Sequence, residues 1–279
     1  MKKLLIVLAL LLFPVLAYAE TLNVQIEGSH GKLAAVIQKP EVNNKCAMVM
    51  LLHGFASNKE FGLFTILADE LEKNNIASIR FDFNGHGQSE GKFENMTVLN
   101  EIEDAKKVFD YVRNLDYVDP DSISIAGHSQ GGVVTSMLAG ELGADKVSKI
   151  VLFAPAAVLR DDSIRGNAFG VNYDAANPPE TVKIFGKLNL GRNYILTAQT
   201  LKIYETAEKF TGPVCLIHGT GDRLVPYTYS ERYNKIYRNN EVQLHLLDGV
   251  DHGFNSHWEG AAKIAVDFLM RKQKFYFIY

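Results

Sequence analysis

The chain has 279 residues, 47% hydrophobic and 22% charged, with a formal net charge of −3. That length accommodates one large α/β domain with a buried core, and the ordinary composition is that of a soluble globular protein. The mildly acidic balance gives nucleic acid or an anionic membrane surface nothing to bind.

Residues 1–19 read as a signal peptide rather than as part of the fold. Lys2 and Lys3 form a basic start, Leu4 to Leu16 an apolar core, and Ala17–Tyr18–Ala19 a small-x-small cleavage site. The apolar run is short for a membrane span. Its removal takes the formal charge from −3 to −5, since the only charges lost are Lys2 and Lys3. The expected address is exported, periplasmic or secreted, with 20–279 as one domain.

In chain order, Leu22–Glu27 and Leu33–Lys39 predict an antiparallel hairpin at a sheet edge. Ala47–Leu52 is a continuous apolar run, as in a strand covered on both faces. Ser57 with Glu60 predicts a capping box for the helix carrying Phe61, Phe64, Leu67, Ala68 and Leu71. Ile76–Phe81 is the next strand. Val98, Ile102, Ala105, Phe109 and Val112 recur at helical spacing, predicting a helix over 97–114. Strands follow at Asp121–Ala126 and Val147–Phe153.

From Ala156 to about Thr200 the alternation breaks in a stretch rich in Asn, Gly and Pro. It is too long for an ordinary loop and predicts a functional insertion. Val214–His218 resumes the sheet, Tyr229–Arg238 is helical, Val242–Leu247 is the last strand, and Gly260–Met270 is the closing helix. Such alternation means a mostly parallel sheet with helices on both faces. Cys46 and Cys215 open strands that are not neighbours in that arrangement. Bridging needs Cα atoms within about 7 Å, so both are expected to be buried free thiols.

Ile125–Ala126–Gly127–His128–Ser129–Gln130–Gly131–Gly132 contains Gly-x-Ser-x-Gly between an apolar strand and an apolar helical pattern. This is the setting of a nucleophile elbow, a sharp strand-to-helix turn that exposes the serine hydroxyl. The bland alternative is a serine that only caps the helix. A serine needs a base within hydrogen-bond reach, and in this architecture the acid and then the histidine follow it. His252 lies in the loop after the last strand. Asp222 lies after the preceding strand, with Asp248 and Asp251 as rivals. Two backbone N–H groups should hold an oxyanion: that of Gln130, after the serine, and that of Phe55 in His53–Gly54–Phe55. His128 should point away from the serine, and His86 reads as structural. No spacing resembles a metal site or a dinucleotide motif, so no cofactor or metal is expected.

His53–Gly54–Phe55, Phe81–Asp82–Phe83–Asn84–Gly85–His86–Gly87, Gly91–Lys92–Phe93–Glu94–Asn95–Met96–Thr97, the serine motif, Ala154–Pro155–Ala156–Ala157, His218–Gly219–Thr220–Gly221–Asp222 and Asp251–His252 together resemble the bacterial feruloyl (cinnamoyl) esterases of the α/β-hydrolase superfamily. The likeness runs from about Leu22 to Met270. It implies an α/β-hydrolase fold with a mostly parallel eight-stranded sheet, and a serine esterase releasing hydroxycinnamic acids from esters, including those on plant cell-wall polysaccharides. It implies that 156–200 is a small lid. By position Asp162 (or the adjacent Asp161) and Tyr194 would meet the phenolic ring, while Phe169 stands where some relatives carry Gln.

The expected partner is a small aryl ester or a feruloylated oligosaccharide, with a homodimer as one option for assembly. The same residues also fit a short-chain carboxylesterase or acylglycerol lipase. They fit less well a serine peptidase or a non-catalytic binding protein.

Overall fold

The computed structural model describes residues 20–271. The export signal read at 1–19 and the aromatic tail at 274–279 lie outside the described residues. β1 (Glu20–Glu27) and β2 (Lys32–Lys39) form the expected antiparallel hairpin. β3 (Cys46–Leu52), α1 (Gly62–Lys73), β4 (Ala77–Phe81), α2 (Val98–Arg113), β5 (Val118–His128), α3 (Gln130–Leu142) and β6 (Ile150–Phe153) then alternate strand with helix.

The insertion is not a loop. It folds as α4 (Val158–Arg165), a hairpin of β7 (Asn167–Ala168) and β8 (Val171–Asn172), a second hairpin of β9 (Thr181–Ile184) and β10 (Leu188–Gly191), and α5 (Arg192–Thr200). A short helix that the sequence did not announce, α6 (Ile203–Ala207), leads to β11 (Val214–Gly219), α7 (Thr228–Ile236), β12 (Val242–Leu247) and α8 (Trp258–Met270).

Eight strands form one sheet in the order β1-β2-β4-β3-β5-β6-β11-β12. All pairs from β4 to β12 are parallel, and β2 meets β4 antiparallel. This is the α/β-hydrolase fold expected from the sequence. The strands alternate between two cores. Met48, Met50, Leu52, Ile123, Ile125 and Leu216 pack on one face with α2 and α3. Val49, Leu51, Ala126, Val151, Cys215 and Ile217 pack on the other with α1 and α8. Coverage on both faces explains the unbroken apolar runs of the central strands. β5 and β6 separate β3 from β11, and Cys46 and Cys215 are buried free thiols, as expected.

One local expectation fails. Ser57 and Glu60 form no capping box: α1 starts only at Gly62, and its N-cap, Phe61, has no side-chain cap. The turn before it is held instead by Asn58 Oδ1, which accepts the Glu60 N–H at 2.9 Å. A capping box forms at α2, where Thr97 Oγ1 accepts the Asn100 N–H at 3.1 Å and Asn100 Oδ1 accepts the Thr97 N–H at 3.0 Å.

Candidate active site

β5 ends at the serine motif, and the turn there is strained. Ser129 has φ 57° and ψ −121°, outside the regions a non-glycine residue ordinarily occupies. The glycines around it are required by contact. A Cβ on Gly127 would collide with the Gly131 carbonyl and Thr135, and one on Gly131 with the Leu52 and His53 carbonyls. A Cβ on Gly132 would stand 3.0 Å from Pro155 Cα, so α3 sits tight against that segment. On the loop after β3, a Cβ on Gly54 would lie 2.9 Å from Ser129 Cβ.

The loops after β11 and β12 bring the two partners to the serine. His252 Nε2 lies 2.9 Å from Ser129 Oγ, and His252 Nδ1 lies 2.6 Å from Asp222 Oδ2. A carboxylate only accepts, so Nδ1 carries the proton and Nε2 is free to accept from the serine hydroxyl. Asp222 Oδ1 accepts the N–H groups of Leu224 and Val225, both at 2.8 Å. Burial by itself would raise the Asp222 carboxyl, but hydrogen bonds from His218 and His252 outweigh it and hold the group well below the usual carboxylate range. The rivals sit elsewhere: Asp248 is exposed and accepts from Thr220 Oγ1, while Asp251 accepts from Asn255.

Phe55 and Gln130 flank the serine from the β3 loop and the first turn of α3. Among the described residues, neither backbone N–H has a hydrogen-bond partner. Gln130 is the first residue of α3, where N–H groups have no intrahelical acceptor and the helix dipole favours negative charge. The Phe55 loop is pinned by a buried ion pair: Lys59 Nζ lies 3.0 Å from Asp82 Oδ2, and the Lys59 N–H donates to Asp82 Oδ1 at 2.6 Å.

Histidines back the site. His128 is stacked on Phe61 with centroids 4.7 Å apart. It also grips the site, because Nε2–H donates to the His252 carbonyl at 2.8 Å. Burial, then the nearby His252, lowers it to about 3, so it is neutral there. His53 is likewise lowered to about 3 by burial and by His86. His53 Nε2 accepts the Phe83 N–H, and this tethers the β3 and β4 loops. His86 is buried against Phe93, in keeping with a structural role.

The serine and His252 open on a cavity of about 260 Å³. Its walls include Phe55 and Leu224, and the insertion contributes an apolar side with Leu159 and Leu190 together with Asp162, Asn167, Phe169 and Tyr194. Asp162 lines the cavity and pairs with Arg165, whereas Asp161 accepts the Tyr229 hydroxyl at 2.7 Å outside it. Tyr194 is buried, and its hydroxyl is committed as a donor to Gln130 Oε1 at 2.7 Å, leaving only lone pairs for a ligand. The Phe169 ring packs at a tilt against Phe55, centroids 4.6 Å apart, and against Phe185, 4.8 Å apart.

Behind Gln130 lies a residue that the sequence reading did not single out. Gln130 Nε2 donates to Glu101 Oε2 at 2.9 Å, deep under α2. Burial, with Asp104 adding to it, pushes the Glu101 carboxyl well above the usual range, and the Gln130 hydrogen bond opposes this only in part. A carboxyl raised on folding stabilises below its unfolded value, about 4.3, and loses that contribution as pH rises through its folded value. Glu101→Gln is therefore expected to gain in Tm relative to the wild type as pH rises from acid to alkaline. A Tm difference independent of pH would contradict this. The signal in the sequence was a carboxylate on the α2 stripe that holds Val98 and Ala105.

Among the described residues no group of three or more His, Cys, Asp or Glu is arranged to hold a metal ion, and no helix is long and apolar enough to cross a membrane.

Comparison with known proteins agrees with this fold. The family model described as serine aminopeptidase, S33, matches residues 43–177. The solved structure of Est1E from Butyrivibrio proteoclasticus with ferulic acid bound is 29% identical, with a TM-score of 0.81, covering 89% of this chain and 100% of that one. The uncharacterized protein YfhR of Salmonella typhi is 28% identical over 214 residues, 77% of this chain. A monoacylglycerol lipase of Mycolicibacterium smegmatis is 26% identical over 230 residues, 74% of this chain and 80% of its own length. The match spans 66% of the length of the YfhR relative.

Proposed function

Because this chain is an α/β-hydrolase of the serine-hydrolase type, we propose that it is an esterase acting on hydroxycinnamate (feruloyl-type) esters, including those on plant cell-wall polysaccharides. The observation that carries the reading is the unbroken relay from Asp222 through His252 to Ser129 at a cavity with aromatic walls, Phe55, Phe169 and Tyr194. A volume of about 260 Å³ is just below the roughly 300–1,000 Å³ of ordinary ligand pockets. It suits one ring on a short side chain. The likeness to a structure holding ferulic acid supports the same substrate class.

In the cycle, Ser129 Oγ bonds to the ester carbonyl carbon while His252 Nε2 takes the hydroxyl proton. The negative charge on the carbonyl oxygen is met by the N–H groups of Phe55 and Gln130. Asp222 stabilises the imidazolium. Collapse expels the alcohol, which leaves with the proton from His252. Water then attacks the acyl-enzyme with His252 again as base, releasing the acid and restoring Ser129. The leader-like residues 1–19 extend the proposal to an exported, periplasmic or secreted enzyme.

A second reading, a short-chain carboxylesterase or acylglycerol lipase, is favoured by one observation. Asp162 is paired with Arg165, and the Tyr194 hydroxyl with Gln130, so the two lid groups expected to meet a phenolic ring are already engaged, while Ala156, Val158, Leu159 and Leu190 supply apolar wall. The two readings part on kcat/KM for methyl ferulate against p-nitrophenyl butyrate, with Ser129→Ala as blank. The feruloyl reading expects a preference for ferulate of about tenfold or more, the size of discrimination that pocket contacts supply. Preference for butyrate moves the enzyme to the general carboxylesterases.

A further inference from the structure

His218 is a buried histidine with no step in the cycle above, yet it touches the same carboxylate oxygen as His252. It lies near the end of β11 on the face of Leu216, under α7, with no solvent exposure. Its Nε2 is 3.1 Å from Asp222 Oδ2 and 2.9 Å from the Val225 carbonyl oxygen. Both atoms are acceptors, so Nε2 carries the ring proton. Nδ1 is then the bare nitrogen and accepts the Ser230 hydroxyl at 2.7 Å. One neutral tautomer satisfies every polar atom of the ring.

The carboxylate is saturated as a result. Two backbone N–H groups fill Oδ1 and two imidazole N–H groups fill Oδ2. A donor to a charged acceptor draws off part of its charge. With His218 in place, Asp222 therefore presents less negative charge to His252 and stabilises its imidazolium less.

Resting on the esterase reading, we propose that His218 is a positioning residue: by sharing Asp222 Oδ2 it fixes the carboxylate under His252 and lowers the pH at which His252 becomes a free base. The titratable groups around it are Asp222 and His252, on the loops after β11 and β12, and the neutral His128 at the end of β5; α7 presents the Ser230 hydroxyl. Without the His218 donor, Asp222 carries more charge, the His252 imidazolium gains stability, and the acid limb of the rate profile moves to higher pH.

The test compares pH profiles of kcat/KM for the wild type, His218→Phe, which keeps a ring and removes both nitrogens, and His218→Gln, whose side-chain N–H reaches toward Asp222. The expected result is an acid limb displaced upward by about half a pH unit or more in the Phe variant, with KM within about twofold of wild type, and a limb returned toward wild type in the Gln variant. A purely structural role would lower activity by the same factor at every pH and leave the limb in place; that result overturns the proposal. If the Phe variant does not fold, ¹⁵N NMR of the wild-type ring decides. A neutral Nε2–H tautomer at His218 throughout the titration of His252 upholds the proposal, and an Nδ1–H tautomer or protonation together with His252 overturns it. These spectra follow His252 without turnover, so an inert Ser129 would sink the esterase reading and still leave this test readable.

Discussion

Ser129→Ala is expected to lower kcat/KM on a preferred ester by about 10⁴–10⁶-fold, the scale on which single losses from a nucleophile–base unit act. The substitution removes the hydroxyl oxygen that lies 2.9 Å from His252 Nε2 and would bond to the carbonyl carbon, and it leaves the oxyanion donors, which are backbone groups, untouched. Residual rate above the uncatalysed reaction is expected from those donors and from binding. Tm should change little, because the hydroxyl is not the helix cap: the N-cap residue of α3 makes no side-chain cap hydrogen bond. Activity within about tenfold of wild type would mean that another group attacks the ester.

Asp222→Asn is expected to cost about 10⁴-fold in kcat, by a different route. The amide is nearly isosteric but cannot accept at all four positions. With its NH2 group toward the histidines, it faces the N–H of both His218 and His252. His252 then turns to the tautomer with the proton on Nε2, and Ser129 loses its base. With the amide reversed, the NH2 group faces the N–H groups of Leu224 and Val225 instead. Either way buried donors lose their partner, at about 1–3 kcal/mol each, so a fall in Tm should accompany the loss of rate. Rates within about tenfold of wild type would show that His252 keeps its tautomer without the carboxylate.

Much of this molecule is legible in the sequence because the central strands are covered on both faces and read as unbroken apolar runs, while α2 carries its stripe at helical spacing. Ser129, Asp222 and His252 were found from chain order and loop position, and the structure brings those three side chains into one hydrogen-bonded line.

The insertion was not legible. Its two hairpins turn at Phe169–Gly170 and Phe185–Gly186, with φ of 51° and 49° at the phenylalanines. Asn or Asp would be the usual residue there and would have signalled the turn. These turns are instead held by packing, since the two rings contact each other at a tilt and Phe169 also contacts Phe55. His218 and Glu101 were passed over for a related reason. Each is a polar residue inside an apolar pattern. The Glu101 partner, Gln130, lies on another helix, and the His218 partners Asp222, Val225 and Ser230 follow four, seven and twelve residues on, spacings that carry no meaning until the loop is seen to turn back.

The most direct test of the central claim is mass spectrometry of the protein quenched in acid during turnover of methyl ferulate. A feruloyl adduct is expected, confined to the peptide that carries Ser129, absent from Ser129→Ala and accumulating in a variant slowed in deacylation. Hydrolysis with no adduct on Ser129, or an adduct on another residue, would contradict it.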